Sequence, residues 1–172
     1  RRSARGHQGG CWNCTVGNYC PAGSWEPTPC PPGTWSWFQR AGAVQACQAC
    51  TAGWACPESG TSRMTTPCAV GHYCPRGTVT ATQYPCPDGA FATATNLTHD
   101  RDCTECPWGS RCDAGDSEPL SDCGAGYYCP PGTSTASRNN KYACPPGTYT
   151  DSVNLGAAAQ CTPCDEGYER DG

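Results

Sequence analysis

The chain has almost nothing from which to build a conventional hydrophobic core. Its 172 residues include three leucines (Leu97, Leu120, Leu155), two phenylalanines and no isoleucine. That shortage excludes a globule held by aliphatic packing, because folding needs buried apolar area to offset lost chain entropy. Long apolar runs are missing too, so no bilayer-spanning helix is expected in this chain. The formal net charge is −4 and scattered, with no basic stripe, which removes nucleic acid as an expected partner. The opening RRSARGHQGG has neither an initiator Met nor an apolar signal region. A mature or excised piece of a secreted precursor is the expectation.

Cysteine, glycine and proline are abundant instead, at 18, 21 and 17 residues. This is the composition of a disulfide scaffold, and oxidised cysteines require an oxidising compartment, so the expected location is extracellular, secreted or cell surface.

The cysteines repeat. Three stretches align on one another: CTVGNYCPAGSWEPTPCPPGTWSWFQRAGAVQACQAC from Cys14, CAVGHYCPRGTVTATQYPCPDGAFATATNLTHDRDCTEC from Cys68, and CGAGYYCPPGTSTASRNNKYACPPGTYTDSVNLGAAAQCTPC from Cys123. Each reads as CxxGxxC, a variable loop, CPxG with an aromatic, sixteen residues, and CxxC. The sixteen-residue interval recurs from Cys30 to Cys47, from Cys86 to Cys103 and from Cys144 to Cys161. CTAGWAC and CPWGSRC lie between these stretches, giving a period of about 55 residues. The spacing predicts a small disulfide-rich fold: an elongated tandem array of short β-hairpin and loop modules with almost no helix. Glycines take turn positions of positive φ, and prolines fix φ in CPPGT, CPAG and CPRG. The expected divisions are a linker over 1–10, repeats over 11–50, 51–106 and 107–164, and the start of a further unit or linker over 165–172.

No constellation supports catalysis: GxSxG, HExxH and phosphate-cradling loops are all missing. The CxxC pairs invite a zinc or redox reading, but they recur in disulfide-repeat spacing and only three histidines exist (His7, His72, His99). No cofactor or metal is expected. Asp100 with Asp102, and Asp113 with Asp116, match no complete calcium loop and read as solvated acidic turns.

Recurrent aromatics at Trp35, Phe91 and Tyr149, and at Tyr19, Tyr73 and Tyr128, are expected to pack over neighbouring disulfides. Trp37 and Phe38 fall where the other repeats differ, which makes them, with Trp35, the candidate contact patch. N-linked sugar is expected at Asn96 (NLT), placed in an exposed loop. Asn13 (NCT) is a formal acceptor between two cysteines, and the threonine tracts suit O-linked sugars.

The phrases CPPGTYTDSVNLGAAAQCTPC and CGAGYYCPPGT resemble the ephrin-receptor-like cysteine-rich repeat, a relative of tumour-necrosis-factor-receptor modules. The resemblance spans Cys11 to Tyr168. Such repeats occur in receptors, adhesion proteins and protist surface proteins, so it speaks to fold more than to function. It implies the pairs Cys30–Cys47, Cys86–Cys103 and Cys144–Cys161. Two four-cysteine knots remain, Cys50, Cys56, Cys68, Cys74 and Cys106, Cys112, Cys123, Cys129. Spacing leaves all three connectivities open in each; the resemblance implies the interlaced one, first with third and second with fourth.

Cys11, Cys14 and Cys20 at one end and Cys164 at the other are then left over, three plus one. They become candidates for disulfides between copies. The expected function is a structural extracellular glycoprotein that assembles or continues head to tail into a fibre or surface appendage. The alternative is the cysteine-rich stalk or ligand-binding region of a receptor or adhesion protein.

Overall fold

A computed structural model of the chain describes residues 14–166, apart from the side chains of 140 and 141. Its building block is a four-residue turn. In Thr51-Ala52-Gly53-Trp54, the Trp54 N–H donates to the Thr51 carbonyl at 3.1 Å and Gly53 has φ 85°. The third position of a type II turn requires positive φ, which only glycine adopts without penalty. The same Cys-x-x-Gly opening occurs at Cys14, Cys30, Cys50, Cys68, Cys86, Cys106, Cys123 and Cys144, and again in sequence at Cys164.

Each turn launches a two-residue strand that pairs antiparallel with a second strand just before the next opening cysteine. β1 (Asn18–Tyr19) pairs with β2 (Thr28–Pro29), and β3 (Thr34–Trp35) with β4 (Gln48–Ala49). β5 (Trp54–Ala55) pairs with β6 (Thr66–Pro67), and β7 (His72–Tyr73) with β8 (Tyr84–Pro85). β9 (Ala90–Phe91) pairs with β10 (Thr104–Glu105), and β11 (Thr148–Tyr149) with β12 (Thr162–Pro163). Single bridges, Arg111 with Leu120 and Tyr127 with Ala143, take the place of strands in the two remaining units. The 55-residue repeat therefore resolves into three hairpin units, and the described chain holds eight.

Among the described residues the one α-helix is α1 (Thr135–Lys141), which fills the variable loop of the seventh unit. Ser134 caps it, its hydroxyl accepting from the Ser137 N–H at 3.2 Å. Single 3-10 turns, Val44–Ala46, Asp100–Asp102 and Ala158–Gln160, deliver the chain to Cys47, Cys103 and Cys161.

Every disulfide closes within its own unit. Five units are short rings joining the opening cysteine to the cysteine six residues on: Cys14–Cys20, Cys50–Cys56, Cys68–Cys74, Cys106–Cys112 and Cys123–Cys129. Three are long rings with a separation of 17: Cys30–Cys47, Cys86–Cys103 and Cys144–Cys161. The interlaced connectivity is thus corrected, because Cys50 pairs with Cys56 rather than Cys68, and Cys106 with Cys112 rather than Cys123. The reason is local: the type II turn and the strand after it fold position six back beside position zero. This leaves the Cys50 and Cys56 Cα atoms 6.0 Å apart, within disulfide range. Each ring contributes roughly 2 to 3 kcal/mol by restricting the unfolded chain.

The buried interior is mostly sulfur. Thirteen described side chains are no more than 1 % exposed, and all except Ser36, Thr78 and Thr133 are cysteines. In the long rings the sixth position after the opening cysteine carries Ser36, Ala92 or Thr150, small residues where the short rings place their second sulfur.

Backbone hydrogen bonds join the units into a stack. The turn glycine N–H of each unit donates to the carbonyl six residues after the next opening cysteine, seven times from Gly17→Ser36 to Gly126→Thr150, at 2.7 to 2.9 Å. The N–H at position six of each unit donates to a carbonyl just beyond the next unit's second bend, as in Cys56→Thr78 and Cys112→Thr133 at 3.0 and 2.9 Å. A return bond runs to the opening carbonyl of the preceding unit, as in Gly60→Cys30 and Gly77→Cys50, both 2.8 Å. Units two apart also touch: the Cα of Gly33 faces the Gly77 carbonyl so closely that a Cβ there would lie 2.7 Å from the oxygen. Contact with near neighbours only, repeated along the chain, makes a quasi-one-dimensional array.

Candidate functional site

Among the described residues, the repeating pattern is incomplete at the first and the last unit. At the C-terminal end, the Cys164 N–H donates to the Gly147 carbonyl at 2.9 Å. Six earlier opening cysteines make the same bond, from Cys30→Gly17 to Cys144→Gly126, while Cys123 donates to the Val153 carbonyl instead. Cys164 therefore stands as the first residue of a ninth unit. Its thiol is unpaired among the described residues, and position six of that unit is Arg170, not cysteine.

At the N-terminal end, the Cys20 carbonyl, the Gly23 N–H and the Ser24 carbonyl make no backbone hydrogen bond among the described residues. Their counterparts at Cys56, Gly60 and Thr61, and at Cys74, Gly77 and Thr78, are all bonded to the unit before. Residues 21–27 are exposed, whereas Thr78, the counterpart of Ser24, is 1 % exposed. Cys14, Cys20, residues 21–27, Arg40 and Ala41 line a cleft of about 550 Å³ on this end.

The three-plus-one assignment of inter-copy cysteines is corrected in part. Cys14 and Cys20 bond to each other across the first turn, which removes both from that set. Cys164 is unpaired among the described residues, and Cys11 lies outside them. The sequence register gives Cys11 a role all the same. It precedes the opening Cys14 by three, as Cys47, Cys103 and Cys161 precede Cys50, Cys106 and Cys164, and those three close long rings.

Trp37 and Phe38 are exposed by 56 % and 41 % and stack on each other with centroids 3.8 Å apart. Trp35 sits half-buried in β3. Trp25, at 84 % exposure, and Trp108 are more exposed still. Sequence reasoning passed over both because they fall in variable or turn positions outside the recurrent aromatic set. Of the aromatics expected over disulfides, Tyr128 packs against the Cys144, Leu155 and Cys161 cluster, while Tyr73 stacks on Tyr84 at 5.7 Å.

Asn96 departs from its expected setting. It is half-buried rather than exposed, with φ 65°, where the short-ring units place glycine and the first long ring places Arg40 at φ 64°. Its Nδ2 donates to the Gly53 carbonyl at 2.8 Å. A glycosylated amide keeps one N–H, so sugar there is compatible with this bond only if that hydrogen stays on Gly53. Asn154, in the matching loop, sets its side-chain amide against the Val153 and Ser121 carbonyls, and two acceptors there assign the nitrogen to the side that faces them. Asn13 lies outside the described residues.

The acidic pairs cap turns. The Thr98 hydroxyl, the Thr98 N–H and the His99 N–H all donate to the Asp102 carboxylate, and these bonds hold its pKa below the ordinary value. Partial burial works to raise Asp113, but hydrogen bonds from Thr135 and the charges of Arg111 and Arg138 outweigh it, and the net shift is downward. Asp113 thereby ties the sixth unit to the start of α1, accepting from the Thr135 N–H and hydroxyl at 2.8 and 2.7 Å. Among the described residues no cluster of His, Cys, Asp or Glu is arranged to hold a metal.

Comparison with protein-family models finds no match, and comparison with curated proteins finds no similar sequence.

Proposed function

We propose that this chain is a segment of an extracellular structural rod, not an enzyme, which continues head to tail into a fibre or surface appendage. The observation that carries the reading is the Cys164 N–H bond to Gly147, which starts a ninth unit in register with the other eight. The turn-glycine bond joins all eight described units to one another, and a stack of such units grows by adding the next in register. Its contribution is mechanical: a covalent ring every sixteen to twenty-one residues limits how far any segment unravels. Sixteen paired cysteines suit an oxidising, extracellular setting, and among the described residues no helix is long and apolar enough to cross a membrane.

N-linked sugar at Asn96, retaining its hydrogen bond to Gly53, and O-linked sugar on the threonine loops would keep such a rod soluble. The exposed Trp37–Phe38 pair favours a second reading, a ligand-binding stalk of a receptor or adhesion protein. The test is the mass of native material under non-reducing conditions. A ladder of species above 18.1 kDa that collapses on reduction supports the rod. A single 18.1 kDa species that captures a soluble ligand through Trp37 favours the stalk.

A further inference from the structure

We propose that two cross-strand tyrosine pairs, Tyr73 with Tyr84 and Tyr128 with Tyr142, are sites of oxidative coupling, each joined by a ring-to-ring carbon bond that closes a loop no disulfide closes. The mechanical consequence rests on the rod reading above; the chemistry does not.

The disulfides leave a defined part of the chain unclosed. A long ring is followed by only two residues before the next opening cysteine, as at 48–49 and 104–105. Short rings are followed by longer open stretches, 57–67, 75–85, 113–122 and 130–143. Under load these stretches extend, whereas residues inside a ring are bypassed by the sulfur bridge.

The tyrosine pairs span two of these stretches at equivalent positions. Tyr73 lies five residues after the opening cysteine of the fourth unit and Tyr84 two before the next; Tyr128 and Tyr142 hold the same places in the seventh. Tyr73 faces Tyr84 in the β7–β8 pair, and the bridge between Tyr127 and Ala143 sets Tyr128 opposite Tyr142. The ring centroids are 5.7 Å apart with planes at 28° in the first pair, and 5.5 Å apart at 60° in the second. Directly opposed residues have Cβ atoms about 5 Å apart. Rotation about the two torsions of each side chain then brings the carbons beside the hydroxyls into contact. All four side chains are half-buried, so each ring is held by its neighbours and still reached from solvent. The first unit has no such pair, since Thr28 stands opposite Tyr19.

The oxidant is hydrogen peroxide acting through a haem peroxidase. Each phenol gives up one electron and one proton, and the two radicals join through the ring carbons beside their oxygens. The hydrogens on those carbons move to the oxygens, restoring both phenols, and the peroxide leaves as two waters. One link encloses residues 74–83, and the other encloses 129–141 with α1 inside it. The rod thereby loses two of its extensible stretches.

The test treats the full chain, disulfides intact, with a haem peroxidase and hydrogen peroxide, then reduces, digests and maps it. The expected result is dityrosine fluorescence in a species that remains at 18.1 kDa, with cross-linked peptides joining Tyr73 to Tyr84 and Tyr128 to Tyr142. Tyr84→Phe removes the first link and keeps the second, and Tyr142→Phe does the reverse. Tyr149→Phe changes neither, although Tyr149 is exposed by 41 %. Pulled between its ends with disulfides intact, the coupled chain stops short of the uncoupled one by roughly 3.4 Å per enclosed residue. Absence of dityrosine, links chiefly at Tyr149 or between chains, or a yield unchanged in both Phe variants overturns the proposal and leaves the rod reading standing. The rod reading fails separately, on the mass of native material, and its failure with both links formed removes the stiffening role but not the sites.

Discussion

At the scale of single residues, the fold depends on a few positions that admit only small or left-handed side chains. Ser36 shows the first constraint. It is fully buried where short rings place a sulfur, and its hydroxyl has no hydrogen-bond partner. Removing an unsatisfied buried hydroxyl is favourable, and Ala92 fills the same place in the next long ring. Ser36→Ala should therefore stabilise the chain by about 1 kcal/mol, seen as a rise in the thermal midpoint; a fall would show that the hydroxyl has a partner.

Asn96 shows the second constraint. Asn96→Gly keeps the bend and loses only the side-chain bond to Gly53, costing about 1 kcal/mol, whereas Asn96→Val adds β-branched strain at positive φ and should cost about 2 kcal/mol more. Denaturant midpoints in that order support the assignment, and equal midpoints contradict it. The sequence displayed Asn96 as a glycan acceptor and hid this role, because nothing local marks a contact 43 residues away.

At the scale of elements, hairpins, turns and the near lack of helix were all legible, since CxxG and CPxG announce turns and nothing else competes. Two things were not. The equivalence of CxxGxxC and CPxG units was masked because their opening cysteines bond at different distances, six residues on or seventeen. The connectivity of the four-cysteine groups depends on the path of the strand after the turn, which spacing does not encode.

Because each ring is local, the double substitution Cys68→Ser with Cys74→Ser should cost about 2 kcal/mol and leave the other seven pairs unchanged in a peptide map. Rearranged pairs at Cys50 and Cys56 would instead support interlacing. The Asp113 contact with α1 is a pH-sensitive junction. Its carboxyl binds a proton less tightly folded than unfolded, so it adds stability above the ordinary aspartate range and loses it as pH falls through and below that range. Asp113→Asn should thus lower the thermal midpoint by roughly 2 to 4 °C at pH 7 and by less at pH 3. An equal loss at both values would mean the charge plays no part.

At the scale of the whole molecule, short rings and backbone bonds between neighbouring units replace the missing aliphatic core. The sequence already showed three cysteines at one end and one at the other. The fold reduces that count, since Cys14 and Cys20 satisfy each other and Cys164 starts a ring with no closing cysteine at position 170. A rod that continues from copy to copy assigns Cys164 a single mate. Non-reducing peptide mapping of native material measures it directly. The account predicts a Cys164 peptide linked to the Cys11 peptide of another chain, in species heavier than 18.1 kDa before reduction. A Cys164 joined within one chain, to a different sequence, or left as a thiol in a monomer would contradict it.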